Sequence, residues 1–244
     1  MLTDFEGLRV GEVFRSRKNR VFRITYDDKI CVAKVYPWAN SKVASDEFDL
    51  LSRCFELGLR VPEPLELVGN TIVMAYLDGV NVADVFEPPA HDEAAQEAAE
   101  KIPFDELSEG LADWLASFHK ALDLKVRRGD TILRNFIQHR GKIYGVDFEE
   151  SRKGDILLDL GELCANILGM RPLFSRRNTM LTLAIISSYW EAIGRDRSDD
   201  LPEAIALGLE HYAKYRKDRK VLETLAQSFR NEGLTLLEKP KSES

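Results

Sequence analysis

Arg128-Gly129-Asp130-Thr131-Ile132-Leu133-Arg134-Asn135, with Val146-Asp147-Phe148 shortly after it, is the stretch on which the reading of this chain turns. Any one of these aspartates taken alone is as readily a helix cap or a turn residue. Asp130, Asn135 and Asp147 together flank a short predicted hairpin, Phe136–Gln138 and Lys142–Val146, joined at Arg140-Gly141. Three oxygen-bearing side chains around one hairpin are hard to attribute to packing.

Towards the N-terminus, Lys34 sits in Val32-Ala33-Lys34-Val35, mid-strand among hydrophobes. A charge there costs several kcal/mol unless it is paired, or else the strand lies at an edge in water. Glu47, in the first turn of a helix expected over Ser45–Leu57, is the natural partner. A strand lysine held by a helix glutamate can point its ammonium at phosphates.

Around Lys34, Val13–Arg15 and Val21–Tyr26 flank the polar tip Ser16–Arg20 as a hairpin, and Ile30–Tyr36 gives a third strand. In the helix, Phe48, Leu51 and Phe55 recur at helical spacing and Gly58 is placed to stop it. Leu65–Val68 and Thr71–Ala75 pair across Gly69-Asn70, completing five strands. After Gly79 the pattern is helical, with apolar stripes at Leu107–Leu122, Leu160–Leu168, Met180–Ile193 and Ala204–Leu225.

The net charge of −7 is unevenly spread. Asp84–Gly110 holds nine acids and one base, Lys101, so the rest of the chain is close to neutral. Within that remainder Arg15, Arg17, Lys18, Arg20 and Arg23 form one basic cluster, and Lys214, Arg216, Lys217, Arg219 and Lys220 a second. Cys31, Cys54 and Cys164 are odd in number and lack a CxxC pair, which argues against a disulfide framework or cysteine zinc site. The longest uncharged run, Asn178–Trp190, has 13 residues, against the ~18 a membrane span needs. With no apolar block in Met1–Gly11, the expectation is a cytoplasmic protein without a membrane partner.

The order Lys34, Glu47, Asp130, Asn135, Asp147 resembles the protein-kinase-like superfamily. The likeness is carried by the Val-Ala-Lys strand, the helix reading Glu47-Phe48-Asp49-Leu50-Leu51, Val61-Pro62, the hinge-like Ile72–Gly79, and Gly129-Asp130 to Asn135 with Asp147-Phe148. It covers residues 10–170 or so. Among the branches it is most similar to the small RIO-like kinases, the kinase of the archaeal KEOPS tRNA-modification complex, and the related archaeal RNA kinase acting on a tRNA ribose 2′-hydroxyl. The resemblance implies an α+β, bilobal kinase-like fold. Residues 1–79 form a nucleotide-binding lobe with a small antiparallel sheet and one helix, residues 80–238 a mainly helical catalytic lobe, and residues 239–244 a tail. ATP and Mg2+ are the implied cofactors, bound in the cleft.

Phosphoryl transfer needs charge neutralisation and in-line placement more than covalent chemistry. On that basis Asp130 accepts or orients the acceptor proton, Asn135 and Asp147 offer hard oxygens to Mg2+, and Lys34 and Glu47 serve the ATP phosphates. Met74, Ala75, Tyr76 and Leu77 line the adenine slot, with backbone hydrogen bonds at Ala75 and Tyr76 or Leu77. Asp159 either buttresses the catalytic loop or caps the next helix.

Three departures from the kinase pattern matter. Arg17, Lys18 and Arg20 stand where a glycine-rich phosphate loop is usual, and either replace it, grip an RNA backbone or form a solvated tip. Arg127 and Arg128 precede Gly129 where a histidine is usual, and either face a polyanionic acceptor or pair with Glu149 or Glu150. The short span from Asp147 to Asp159 leaves no room for an activation loop with a peptide platform. The expected acceptor is therefore tRNA or another RNA. A RIO-like serine/threonine protein kinase, with a protein substrate or partner, is the second reading. A small-molecule kinase related to the aminoglycoside phosphotransferases is the third, and a kinase-like binding module without catalysis the fourth.

Overall fold

The computed structural model describes residues 9–14, 16, 18–87 and 103–238. The chain divides into two compact units, one of residues up to Asp78 with Val146–Glu149, the other of Gly79–Gly145 and Glu150 onward. The sequence reading put Val146–Glu149 in the second segment. In the structure these four residues pack with the first, because the Phe148 amide and the Asp147 carboxylate bond to Glu47 and Lys34.

In the first unit, β1 (Arg9–Phe14), β2 (Arg20–Tyr26), β3 (Lys29–Val35), β4 (Pro64–Val68) and β5 (Thr71–Ala75) form one antiparallel sheet of order β1-β2-β3-β5-β4. The turn from β2 to β3 is Asp27-Asp28, both at positive φ, the geometry that a two-residue hairpin matched to strand twist requires. Strand β3 is central, with Lys34 opposite Val21 on one side and Ile72 on the other. Side chains alternate along it: Cys31 and Ala33 join Ile24 and Val73 in the apolar core, while Lys34 points to the opposite face.

Helix α1 (Ser41–Glu56) packs on β4 and β5. Its buried stripe is Ala44, Glu47, Leu51 and Cys54, a helical repeat in which a glutamate takes an apolar place. Two expectations are corrected here. Glu47 lies in the second turn, since the helix begins at Ser41, and Phe55 is exposed, since it falls off that stripe.

The second unit begins with β6 (Val80–Asn81) and α2 (Val82–Phe86), capped by the Asn81 side chain accepting from the Ala83 amide. Helix α3 (Phe104–Ala121) leads to β7 (Val126–Arg127), the loop through Asp130, and a 3-10 turn at Leu133–Asn135. Strands β8 (Phe136–His139) and β9 (Lys142–Gly145) form the expected hairpin, extended by β6 into three strands, and β10 (Arg152–Lys153) pairs with β7. Four longer helices come next, α4 (Leu157–Leu168), α5 (Arg176–Ile193), α6 (Leu201–Ala213) and α7 (Arg219–Glu232), the last leading into the short C-terminal α8 (Thr235–Glu238).

The stripe read as continuous over Ala204–Leu225 is in fact α6 and α7, broken at residues 214–218. Helices α4 and α6 approach closely at Gly161, where a Cβ would lie 2.4 Å from the Ala204 backbone. No helix among the described residues is long and apolar enough to cross a membrane.

Candidate active site

In the first unit the Lys34 ammonium, 5 % exposed as a residue, meets Glu47 Oε1 and Oε2 at 3.0 and 2.8 Å and Asp147 Oδ1 at 2.7 Å. Glu47 also accepts from the Phe148 amide at 3.0 Å and from the Tyr36 hydroxyl. A buried carboxylate with its lone pairs filled and a counter-charge beside it is tolerable; alone it is not. Burial alone would push the Lys34 pKa down, but Glu47 and then Asp147 beside it outweigh that and hold the ammonium above its ordinary value. Lys34 is thus a fixed cation.

Sequence reasoning offered Glu149 only as a partner for Arg127 or Arg128; the structure places it in the Lys34 cluster. Its Oε2 lies 3.7 Å from Lys34 Nζ and accepts from Asn19 Nδ2 at 2.6 Å, while Oε1 meets Lys18 Nζ at 3.1 Å. The hairpin tip is shaped by Asn19 donating its amide to Ser16 Oγ, and Glu149 ties it to the Lys34 cluster. Lys18 is therefore drawn towards the same point as Lys34, while Arg20 is exposed on β2. Arg17, with Arg15, lies outside the described residues. Carboxylate atoms of Glu47, Asp147 and Glu149 lie within 4.8 Å of one another, so Asp147 projects from an oxygen-rich cluster.

Strand β5 supplies Met74, which is buried, and Ala75, followed by Tyr76 and Leu77. The Ala75 amide donates to Glu63 O at 2.9 Å and the Tyr76 amide to Ile30 O at 3.4 Å. The expected donors at Ala75 and Tyr76 are thus both used within the first unit. The Tyr76 ring stacks on Phe14 and lies under the Arg23 guanidinium.

In the second unit, Asp130 is exposed at φ 43° and Gly129 precedes it at φ 67°. A Cβ on Gly129 would stand 2.6 Å from Glu150 O, so only glycine fits. Asn135 Nδ2 donates to Asp130 Oδ2 at 3.1 Å and to its carbonyl at 2.9 Å, which leaves Asn135 Oδ1 as the atom a metal would take. Asp147 in the first unit also has positive φ, 65°. Strained aspartates persist where the surroundings hold them, a common mark of functional sites.

Arg128 is a correction. Its side chain is fully buried, donating to the carbonyls of Gly129, Asp130 and Asn135 at 3.0, 2.9 and 3.3 Å, with its guanidinium near the Trp114 and Phe136 rings. It laces the loop and faces no acceptor. Arg127 is corrected too: it reaches Asp159 Oδ1 at 3.3 Å and Glu162 Oε2 at 3.5 Å, rather than an acceptor or Glu149 or Glu150.

Helix α4 turns one polar face to this loop. Asp159 accepts from the Arg128 and Gly129 amides, Glu162 from the Thr131 amide at 3.0 Å, and Asn166 Oδ1 from the Leu133 amide at 3.0 Å. Asp159 is a buttress and not the helix cap, which is Ile156. His119, which the sequence reading passed over, completes the support with Nε2 3.0 Å from Asp159 Oδ2 and Nδ1 2.8 Å from the Tyr189 hydroxyl. Tyr189 donating to Nδ1 and Nε2–H donating to Asp159 satisfies all three groups.

Burial opposes the charge on Asp159, yet the His119 hydrogen bond and the two loop amides hold its carboxyl below the ordinary 3.8. A carboxyl lowered on folding contributes stability above its unfolded pKa, and that contribution is lost as pH falls below it. Urea midpoints measured from pH 6 down to 3 should therefore fall below about pH 4. Asp159→Asn should remove much of that dependence, and an unchanged acid slope would contradict the assignment.

The sheet unit carrying a strand lysine paired to a helix glutamate, and the helical unit carrying the Asp130–Asn135 loop, define a kinase-like fold. A RIO domain model matches residues 12–148, more than half the chain, and the protein belongs to the RIO domain family of kinase-like phosphotransferases. It is a kinase.

Among solved structures, an amicoumacin kinase (hAmiN, in complex with AMP-PNP, Ca2+ and amicoumacin) is similar at TM-score 0.64 and 12% identity, covering 91% of this chain and 88% of that one. A provisionally assigned aminoglycoside phosphotransferase from Ralstonia eutropha JMP134 follows at TM-score 0.59 and 13% identity, covering 96% and 94%. WaaP in complex with acyl carrier protein gives TM-score 0.52 and 18% identity, covering 96% and 91%. At these identities the likeness speaks for the fold. No curated protein sequence matches the chain significantly.

Proposed function

We propose that the protein transfers the γ-phosphoryl group of ATP to a ribose hydroxyl of RNA, with a tRNA 2′-hydroxyl as the favoured acceptor and Mg2+ as the metal. The observation that carries the transfer chemistry is Lys34, a buried ammonium kept cationic by Glu47 and Asp147. A fixed cation at the end of a sheet lysine strand suits the phosphates of a nucleotide. Lys18, drawn to Glu149 beside it, adds a second cation where the glycine-rich loop is missing.

The Asp147 carboxylate in the first unit and Asn135 Oδ1 in the second are each hard oxygens of the kind a divalent cation takes. When bound, the metal neutralises phosphate oxygens as charge moves towards the leaving group. Asp130 presents an exposed carboxylate, its Oδ2 oriented by Asn135, to accept or align the acceptor proton. The acceptor oxygen then bonds to the γ-phosphorus as the bond to the β–γ bridging oxygen breaks, releasing ADP. His119, Asp159, Glu162 and Asn166 hold the loop in place for that role.

RNA as acceptor is supported by the resemblance of the chain as a whole to the RNA-kinase branch, and by basic side chains on the second unit. A small-molecule hydroxyl is the second reading, favoured because Arg127 and Arg128 are spent on the protein's own loop and carboxylates. The deciding experiment incubates the protein with labelled ATP and total tRNA, casein, an aminoglycoside, or no acceptor. Label in tRNA, recovered after nuclease digestion on a 2′-phosphorylated nucleotide, supports the proposal; label only in the aminoglycoside or in casein overturns it. Asp147→Asn should weaken ATP binding in Mg2+ by roughly tenfold or more, and leave metal-free binding nearly unchanged, since it removes an anionic oxygen from a hard-cation site. Calorimetry with and without Mg2+ reads this, and an unchanged metal dependence would remove Asp147 from that role.

A further inference from the structure

The second basic cluster found in the sequence has no part in the transfer chemistry, and the fold gathers more cations around it. The Arg171 guanidinium meets Asp218 at 2.8 Å, which joins the loop before α5 to the α6–α7 connection, and Arg216 donates to Gly169 O at 3.0 Å across the same seam. The Arg171 amide donates to Glu87 Oε1 at 3.1 Å, and the Arg177 guanidinium lies 4.8 Å from the Phe86 ring, bringing in the end of α2. One surface of the second unit therefore carries Arg171, Arg176, Arg177 and the cluster Lys214–Lys220; Glu87, Asp218 and Glu223 bond within it, and Glu210 acts electrostatically on Lys214. Arg176, Lys214, Lys217 and Lys220 are exposed and make no ion pair among the described residues.

Two apolar features lie beside these cations, one of them at the start of α3, next to Asp105 and Glu106. Tyr215 is 65% exposed and edge-on to His211. Among the described residues, Phe104, Arg176, Arg177 and Met180 line an open pocket of about 310 Å3. Arginines that can fork onto phosphate, beside an exposed ring, match what a single strand offers: a charged backbone with flat bases. An acidic protein segment would use the charges and leave the ring without a purpose.

We propose that this surface binds single-stranded RNA, with phosphates on Arg176, Arg177, Lys214 and Lys217 and a base on Tyr215. The proposal deepens the RNA-acceptor reading, on which it rests for its biological purpose, by placing where the acceptor strand is held.

The test measures binding of a fluorescein-labelled unstructured RNA to the full-length protein across a salt series. Replacing Arg176, Arg177, Lys214 and Lys217 with Ala should reduce the slope of log affinity against log salt by roughly 2–3 units, at ~0.7 per single-strand phosphate. A charge-matched control, Lys29, Lys42, Arg53 and Lys142 to Ala, should leave the slope in place. Tyr215→Ala should weaken RNA binding roughly tenfold without changing the slope, and should not touch binding of inorganic polyphosphate, which has no bases.

An unchanged slope in the four-site variant, with RNA still phosphorylated, overturns this surface and leaves the RNA-kinase reading standing. Patch-dependent binding without phosphate transfer to RNA does the reverse, supporting the surface while the acceptor reading falls. Poly-glutamate displacing the RNA at equal charge concentration, with Tyr215→Ala silent, assigns the surface to an acidic protein segment and overturns the proposal.

Discussion

Asp130→Asn should lower kcat by about 10²–10⁴-fold, the usual contribution of a positioned proton acceptor, while ATP affinity is unchanged. The substitution keeps size and polarity, and Asn tolerates the positive φ at this position as well as Asp does, so the loop has no reason to rearrange. The Asn135 amide can still donate to the remaining oxygen, and the Arg128 bonds go to backbone carbonyls that the change does not touch. What is lost is a carboxylate able to take the acceptor proton. Radiometric transfer assays and calorimetry with an ATP analogue separate the two quantities. Turnover near the wild-type rate would remove Asp130 from the role.

Lys34→Met should have the largest effect on stability. It strips the counter-charge from Glu47, which is 3% exposed, and an uncompensated buried charge costs about 3–5 kcal/mol. In a chain of this size that corresponds to a fall in Tm on the order of 10 °C. Phosphate transfer should be lost as well, because the fixed cation is gone. The double variant Lys34→Met with Glu47→Leu should regain most of the stability, since a packed apolar pair often matches a buried ion pair, but none of the activity. Denaturant unfolding followed by tryptophan fluorescence measures the first, and the labelled-ATP assay the second. A single variant as stable as the wild type would show that Glu47 is not held by Lys34.

The parts of the site that sequence exposes are those where a residue contradicts its surroundings. Lys34 interrupts a β-branched strand and Glu47 interrupts an apolar helical stripe, so each is an anomaly whose resolution is the other. Asp130 and Asn135 are legible because a short motif fixes their spacing within one loop. The supporting face of α4 is different. Asp159 is legible as a buttress or a cap, but Glu162 and Asn166, which follow it at helical spacing, look like ordinary polar positions along the chain, and the backbone amides they accept from carry no sequence signature.

Arg127 and Arg128 misled because two cations beside an aspartate look exposed by charge alone. Whether a guanidinium faces water or three carbonyls is settled by tertiary packing, here against Trp114 and Phe136. The break between α6 and α7 was hidden for a simpler reason. Residues 214–218 include neither Gly nor Pro, so nothing local marks the end of a helix.

Glu149 gives the two lysines Lys18 and Lys34 a built-in counter-anion. A carboxylate attached to the same chain acts at an effective concentration that a free monoanion cannot match from solution. Acetate, chloride or a single phosphate must compete with it on poor terms, whereas a triphosphate brings several negative charges at once and can displace it. The cluster is therefore arranged as a threshold for charge number, quiet towards the simple anions of its surroundings and responsive to a polyanion.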